Sequence, residues 1–107
     1  MNQLKKNNDE FDVLRKINSN PQTRQRDLAI QLGFSLGKLN YCIKALKKKG
    51  LIKIKNFKKN ENKLNYVYLL TPKGISHKTK MAYFFMKQKV DEYEQLKKEV
   101  QTYKKKN

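Results

Sequence analysis

Cys42 and His77 are the single cysteine and the single histidine of the sequence. A lone thiol has no resolving partner and builds no disulfide framework. Free cysteine is also among the most buried residue types, so Cys42 reads as an inert core thiol. His77 reads as a surface or interface residue, because one imidazole without companions makes neither a metal site nor a catalytic base. No paired carboxylates, phosphate-cradling glycine loop or nucleophile elbow accompanies them. Catalysis, metals and cofactors therefore have no candidate residues.

The chemistry that remains is electrostatic. Lys and Arg number 26 against 9 Asp and Glu, a formal net charge of +17 on 107 residues. Solubility does not require such an excess. It implies a polyanionic partner, nucleic acid first and an anionic membrane surface second. No apolar run is long enough to span a bilayer, and Met1 to Glu10 lacks the apolar stretch of a secretion signal. A cytoplasmic, basic protein is expected.

The most ordered part of the chain runs from Thr23 to Ser35 and on through Leu39, Ile43 and Leu46 to Lys49-Gly50-Leu51-Ile52. Thr23 is the expected N-cap of a short helix whose inward residues are Leu28, Ala29 and Leu32, with Gly33 as its C-terminal stop. Ser35 is the expected N-cap of the next helix, which Gly50 closes. Two short helices joined by a tight glycine turn hold the second at a steep angle to the first. Leu28, Leu32, Leu39, Ile43 and Leu46 would lock that angle by packing. The other face of the second helix, residues 35–49, then offers Lys38, Asn40, Tyr41 and Lys44 to a major groove, with Ser35 capping its start. Arg24 and Arg26, at the head of the first helix, are candidates for phosphate contact.

The flanking elements follow from the same punctuation. Residues 1–9 are polar and should fray. Phe11, Leu14 and Ile17, with Val13 beside them, form a helical stripe that Pro21 ends. Leu51 to Lys55 alternates apolar and basic residues as a half-buried strand does, and Leu64 to Leu70 is its return. Between them, residues 56–63 read as a polar hairpin tip. Lys58, Lys59, Asn60, Asn62 and Lys63 are the candidates there for contact with the backbone or minor groove. Thr71-Pro72 opens a last helix that nothing breaks before about Tyr103.

That last helix carries Met86, Tyr93 and Val100 in one row and Leu96 and Tyr103 in the next, a short heptad seam. Ile75 and part of Met81 to Phe85 should pack on the helix's own domain. Beyond Val90 so small a domain has no surface left to cover the stripe, so a second copy of the chain is the expected partner. Between Lys87 and Glu99 four basic and four acidic residues balance, which would let two such helices approach. Parallel and antiparallel pairing both remain open.

Taken in order, these elements resemble the winged helix-turn-helix of the MarR family of bacterial transcription regulators, over roughly Glu10 to Thr102. The stretch Leu64 to Ile75, with its Leu-Thr-Pro-Lys-Gly turn, and Lys89 through Glu94 look most like the small subgroup associated with exopolysaccharide gene clusters. The resemblance implies a mainly α fold with a small β-hairpin. It divides the chain into a flexible start (1–9), a winged helix-turn-helix (10–70) and a C-terminal dimerisation helix (71–107). It implies a homodimeric regulator of transcription, most often a repressor, that binds double-stranded DNA. Two departures stand out. Larger relatives carry an extended N-terminal helix and two C-terminal helices with an effector pocket between them, so no small-molecule effector is assigned. They also carry Asp-x-Arg at the wing, where this sequence reads Asn62-Lys63-Leu64. The missing arginine keeps a second expectation open, a winged helix that binds RNA or another protein.

Overall fold

In a computed structural model, residues 2–21, 24–60 and 63–106 are described, with side chains over 5–21, 24–56 and 67–105. Six elements follow one another: α1 (Asn2–Ser19), α2 (Gln25–Leu32), α3 (Leu36–Lys48), β1 (Ile52–Asn60), β2 (Lys63–Leu70) and α4 (Pro72–Lys106). The fold is mainly α with one antiparallel hairpin, a winged helix-turn-helix followed by a long helix.

The stripe on α1 buries Val13, Leu14 and Ile17 against Leu28 of α2, Leu39, Ile43 and Leu46 of α3, and Leu51, Ile52 and Tyr68 of the hairpin. Helix α1 starts at Asn2 rather than near Glu10, so residues 2–9 are helical where fraying is expected. The reason is tertiary. Asp9 pairs with Lys38 at 3.2 Å and Glu10 with Lys49 at 2.9 Å, so the polar first half of α1 is tied to both ends of α3. Ser19 ends the helix with its hydroxyl donating to the carbonyls of Arg15 and Lys16, just before Pro21.

The turn chemistry around α3 follows the sequence closely. Gly33 sits at φ 70° as the left-handed cap of α2, a conformation an L side chain rarely adopts. The Ser35 hydroxyl accepts the Lys38 N–H at 3.1 Å, a regular N-cap. The head of α2 departs from expectation. Arg24 holds the N-cap position with extended backbone and no side-chain cap, and Thr23 lies outside the described residues.

The wing also departs from expectation. Residues 56–63 read as a polar loop, yet β1 continues to Asn60 and β2 begins at Lys63, with Asn56 opposite Tyr66 and Lys58 opposite Leu64. Main-chain pairing needs no apolar side chains, so the ladder runs on past the point where alternation stops. The register is irregular between Lys58 and Asn60.

Helix α4 begins on the domain and leaves it. Phe85 meets Phe11 with ring centres 5.1 Å apart. Ile75, expected inside, is about half exposed, because Gly74 makes the close contact at that turn. From Met86 to Lys105 every residue is exposed. The described chain measures 72 × 26 × 24 Å with a radius of gyration of 18.6 Å, against ~13 Å for a compact chain of this length.

Candidate nucleic-acid interface

At 100° per residue, Leu39, Cys42, Ile43 and Leu46 define the buried side of α3. Directly opposite stand Gly37, Tyr41, Lys44 and Lys48, all exposed. Of the expected reading residues, Tyr41 and Lys44 therefore lie at the centre of the outward face. Lys38 and Asn40 lie on its two flanks. Gly37 and Lys48 were not singled out from the sequence, although Lys48 follows Lys44 by one helical turn. A glycine there gives up roughly 1 kcal/mol of helix propensity, and no atom lies within 4 Å of where its Cβ would be. What it gains is a bare backbone at the first turn of the exposed face.

The flanks are held by neighbouring helices. The Lys38 ammonium lies 3.2 Å from an Asp9 carboxylate oxygen and 4.1 Å from the centre of the Phe34 ring. Asn40 accepts a hydrogen bond from the Gln25 side chain of α2 at 3.4 Å. Gln25 was another residue the sequence did not mark, since nothing local links positions fifteen apart. Tyr41 is 62% exposed, with the Lys6 ammonium 5.8 Å from its ring centre, so α1 borders the outward face on that side.

Arg24 and Arg26 are exposed at the head of α2. Lys53 and Lys55 are exposed on β1, alternating with the inward Ile52 and Ile54, and extend the cationic surface toward the wing. The side chains of Lys58, Lys59, Asn60 and Lys63, and the whole of Asn62, lie outside the described residues. Cys42 is buried, and burial followed by the nearby Asp9 and Glu10 carboxylates pushes its thiol pKa up, away from thiolate chemistry. On α4, Met86, Tyr93, Leu96, Val100 and Tyr103 are each more than half exposed. Among the described residues no helix is long and apolar enough to cross a membrane.

Comparison with known proteins agrees with the fold. Residues 10–53 match the family described as winged helix-turn-helix DNA-binding. Sequence comparison with curated proteins gives no match. Solved structures give several. The PcaV transcriptional regulator of Streptomyces coelicolor, in complex with its natural ligand, is similar at TM-score 0.64 and 15% identity, over 73% of this chain and 54% of that one. FabT of Streptococcus pneumoniae, in complex with DNA, is similar at TM-score 0.58 and 21% identity, over 78% and 56%. The zinc-responsive MarR family member ZitR of Lactococcus lactis is similar at TM-score 0.60 and 23% identity, over 82% and 58%. The chain thus spans little more than half the length of these proteins, and what it shares with them is the fold.

Proposed function

We propose that this protein is a DNA-binding regulator of transcription that acts as a homodimer and represses by occupying a promoter. The observation that carries the reading is the outward face of α3. Tyr41, Lys44 and Lys48 stand there uncovered around Gly37, on a helix whose other side is locked into the core. A helix of that girth fits a major groove, and Lys, Asn and Tyr can contact base edges, thymine methyls or phosphates. Both the match over residues 10–53 and the likeness to FabT, solved in complex with DNA, support this reading. In it Lys38, Asn40, Tyr41 and Lys44 face bases, while Arg24, Arg26 and the wing residues Lys58, Lys59, Asn60, Asn62 and Lys63 grip the backbone.

Dimerisation rests on α4. A helix that leaves its domain with Met86, Tyr93, Leu96, Val100 and Tyr103 along one side buries that stripe by meeting a second copy. Two reading helices about one duplex turn apart, ~34 Å, would then engage a near-palindromic site. Control of exopolysaccharide genes is part of the proposal and is supported only by the resemblance of residues 64–75 and 89–94.

Titration of duplex DNA across a salt series tests the core of it. Binding that weakens steeply with salt is expected from counterion release, and no binding even at low salt refutes the proposal. Clear preference for structured RNA of equal length would move the reading to RNA. For the dimer, sedimentation equilibrium compares the wild type with Leu96→Asp/Val100→Asp. That variant places two charges at the seam, and a monomer with a folded winged helix is expected. A wild-type monomer, or a variant that stays dimeric, removes α4 from its role.

A further inference from the structure

The acidic residue Asp9 stands where a cationic reading face should carry none. It lies on α1, at the rim of the face that Tyr41 and Lys44 define, and its carboxylate holds Lys38 at 3.2 Å. Lys38 is thereby occupied twice, by that carboxylate and by the Phe34 ring at 4.1 Å. Neither partner buries it, since 38% of its side chain remains exposed. The pair stands at a cleft of about 320 Å³ between α1 and α3, lined by Lys5, Lys6 and Tyr41 among others. Lys38 therefore has room to swing away from Asp9 without any repacking of the core. The Asp9 side chain is 19% exposed, so the pair is half-buried but open on the lysine side, where a phosphate can compete for the ammonium.

From this geometry we propose that Asp9 is a specificity-determining residue. It keeps Lys38 out of general phosphate contact, so that the lysine is released, to the base edge assigned to it above, only on a site whose other contacts compensate. The inference rests on the DNA-binding reading above. The chemistry is a competition between anions. A phosphate that takes Lys38 leaves the Asp9 carboxylate unpaired beside a polyanion, an added repulsion that Lys44 and Lys48 do not face. Non-specific complexes are held almost wholly by phosphate contacts and lose most from this, whereas specific complexes have base contacts in addition. An acid at the rim thus lowers affinity for random duplex more than for the correct site.

The test measures binding of wild type and Asp9→Asn to a random duplex and to a duplex selected from random DNA, by fluorescence anisotropy from 50 to 200 mM salt. Asp9→Asn should bind random duplex several-fold more tightly and narrow the gap between the two duplexes. One further phosphate contact steepens the salt slope by ~0.9, so the gain itself should shrink by ~3.5-fold over that fourfold range of salt. In a Lys38→Gln background the same substitution releases no ammonium and removes only the repulsion of a free carboxylate, so the gain should be clearly smaller and the slope should not steepen by a whole contact. Asp9→Ala, which favours helix, repeats the measurement should the asparagine variant fold poorly. An unchanged slope, weaker binding, or a gain that is equally large without Lys38 overturns the inference while leaving DNA binding intact. Absence of duplex binding by the wild type refutes both.

Discussion

The buried ion pair between α1 and α3 predicts an asymmetry that ordinary salt-bridge deletion does not. Glu10 is 2% exposed, and both its carboxylate oxygens accept from the Lys49 ammonium, at 3.0 and 2.9 Å. The Lys49 side chain is 45% exposed. Removing the lysine strands a desolvated carboxylate with both hydrogen bonds gone. Breaking a buried pair in this way costs ~3–5 kcal/mol, and water entering from the open lysine side reduces that here to about 2–4. Removing the acid is different, because Lys49 swings into water and leaves no buried charge. Glu10→Gln therefore costs about 1 kcal/mol, the net worth of a typical hydrogen bond. Lys49→Met should thus be the worse of the two by about 1–3 kcal/mol, and adding Glu10→Gln to it should restore stability. Urea unfolding followed by circular dichroism, at one fixed protein concentration, measures all four proteins. The reasoning fails if Glu10→Gln costs as much as Lys49→Met, or if the double variant is less stable than Lys49→Met alone.

Two other substitutions read different features. Gly74 packs so closely under the start of β1 that an added Cβ would overlap the Leu51 carbonyl oxygen and lie 2.9 Å from its carbon. The obstacle is backbone, so Gly74→Ala should cost ~1–3 kcal/mol despite the better helix propensity of alanine, seen as a fall in melting temperature. An unchanged melt would show that the turn gives way freely. Asp12 has its pKa raised above 3.8 chiefly by desolvation, with Arg15 opposing and Asp9 adding to the rise. A carboxyl whose folded pKa is raised disfavours folding while charged, and that penalty is relieved as pH falls through the folded value. Asp12→Asn should therefore be slightly more stable than wild type at pH 7, with the advantage shrinking as pH falls through the raised folded value and gone only below the ordinary 3.8; urea midpoints at pH 7 and at about pH 3 check the sign. The gain should be small, because the side chain is exposed.

What could be read from sequence was local. Ser35, Gly33 and the spacing of Leu28, Leu39, Ile43 and Leu46 act within a turn or two, and the structure has each of them in the expected part. The first half of α1 was not legible, because what supports it is Asp9 reaching Lys38 and Glu10 reaching Lys49, thirty-nine residues away. Alternating side chains signal a strand only where one face is buried, which hid the outer half of the hairpin. The same gap affects the candidate site. Sequence marks Lys38 as a cation on a surface helix, but only the fold shows that an acid from another helix already holds it. Ile75 fits the apolar period of α4 yet stays half outside, since the inward place at that turn belongs to a glycine.

The segment Lys49 to Leu51 gives these separate features a common mechanical sense. The Lys49 carbonyl accepts from the Lys73 ammonium at 3.0 Å, the Gly50 carbonyl from the Thr71 hydroxyl at 2.6 Å, and the Leu51 carbonyl from the Thr71 N–H at 3.0 Å. The same Thr71 hydroxyl then accepts the Gly74 N–H at 3.0 Å, capping α4 while it is tied to the end of α3. Three consecutive carbonyls thus fasten α4 to the end of α3, and the Lys49 side chain fastens both to α1 through Glu10. Helix α4 has 35 residues, a lever of ~52 Å at 1.5 Å per residue, so a tilt of about 5° at this turn moves its far end by ~4.5 Å. In a dimer joined along α4, the separation of the two α3 helices would therefore be set by the angle at Lys49 to Leu51 rather than by a flexible linker. Such a dimer would have little freedom to follow half-sites of altered spacing, and the glycine at position 74 is what lets α4 meet the Leu51 backbone at so close a joint.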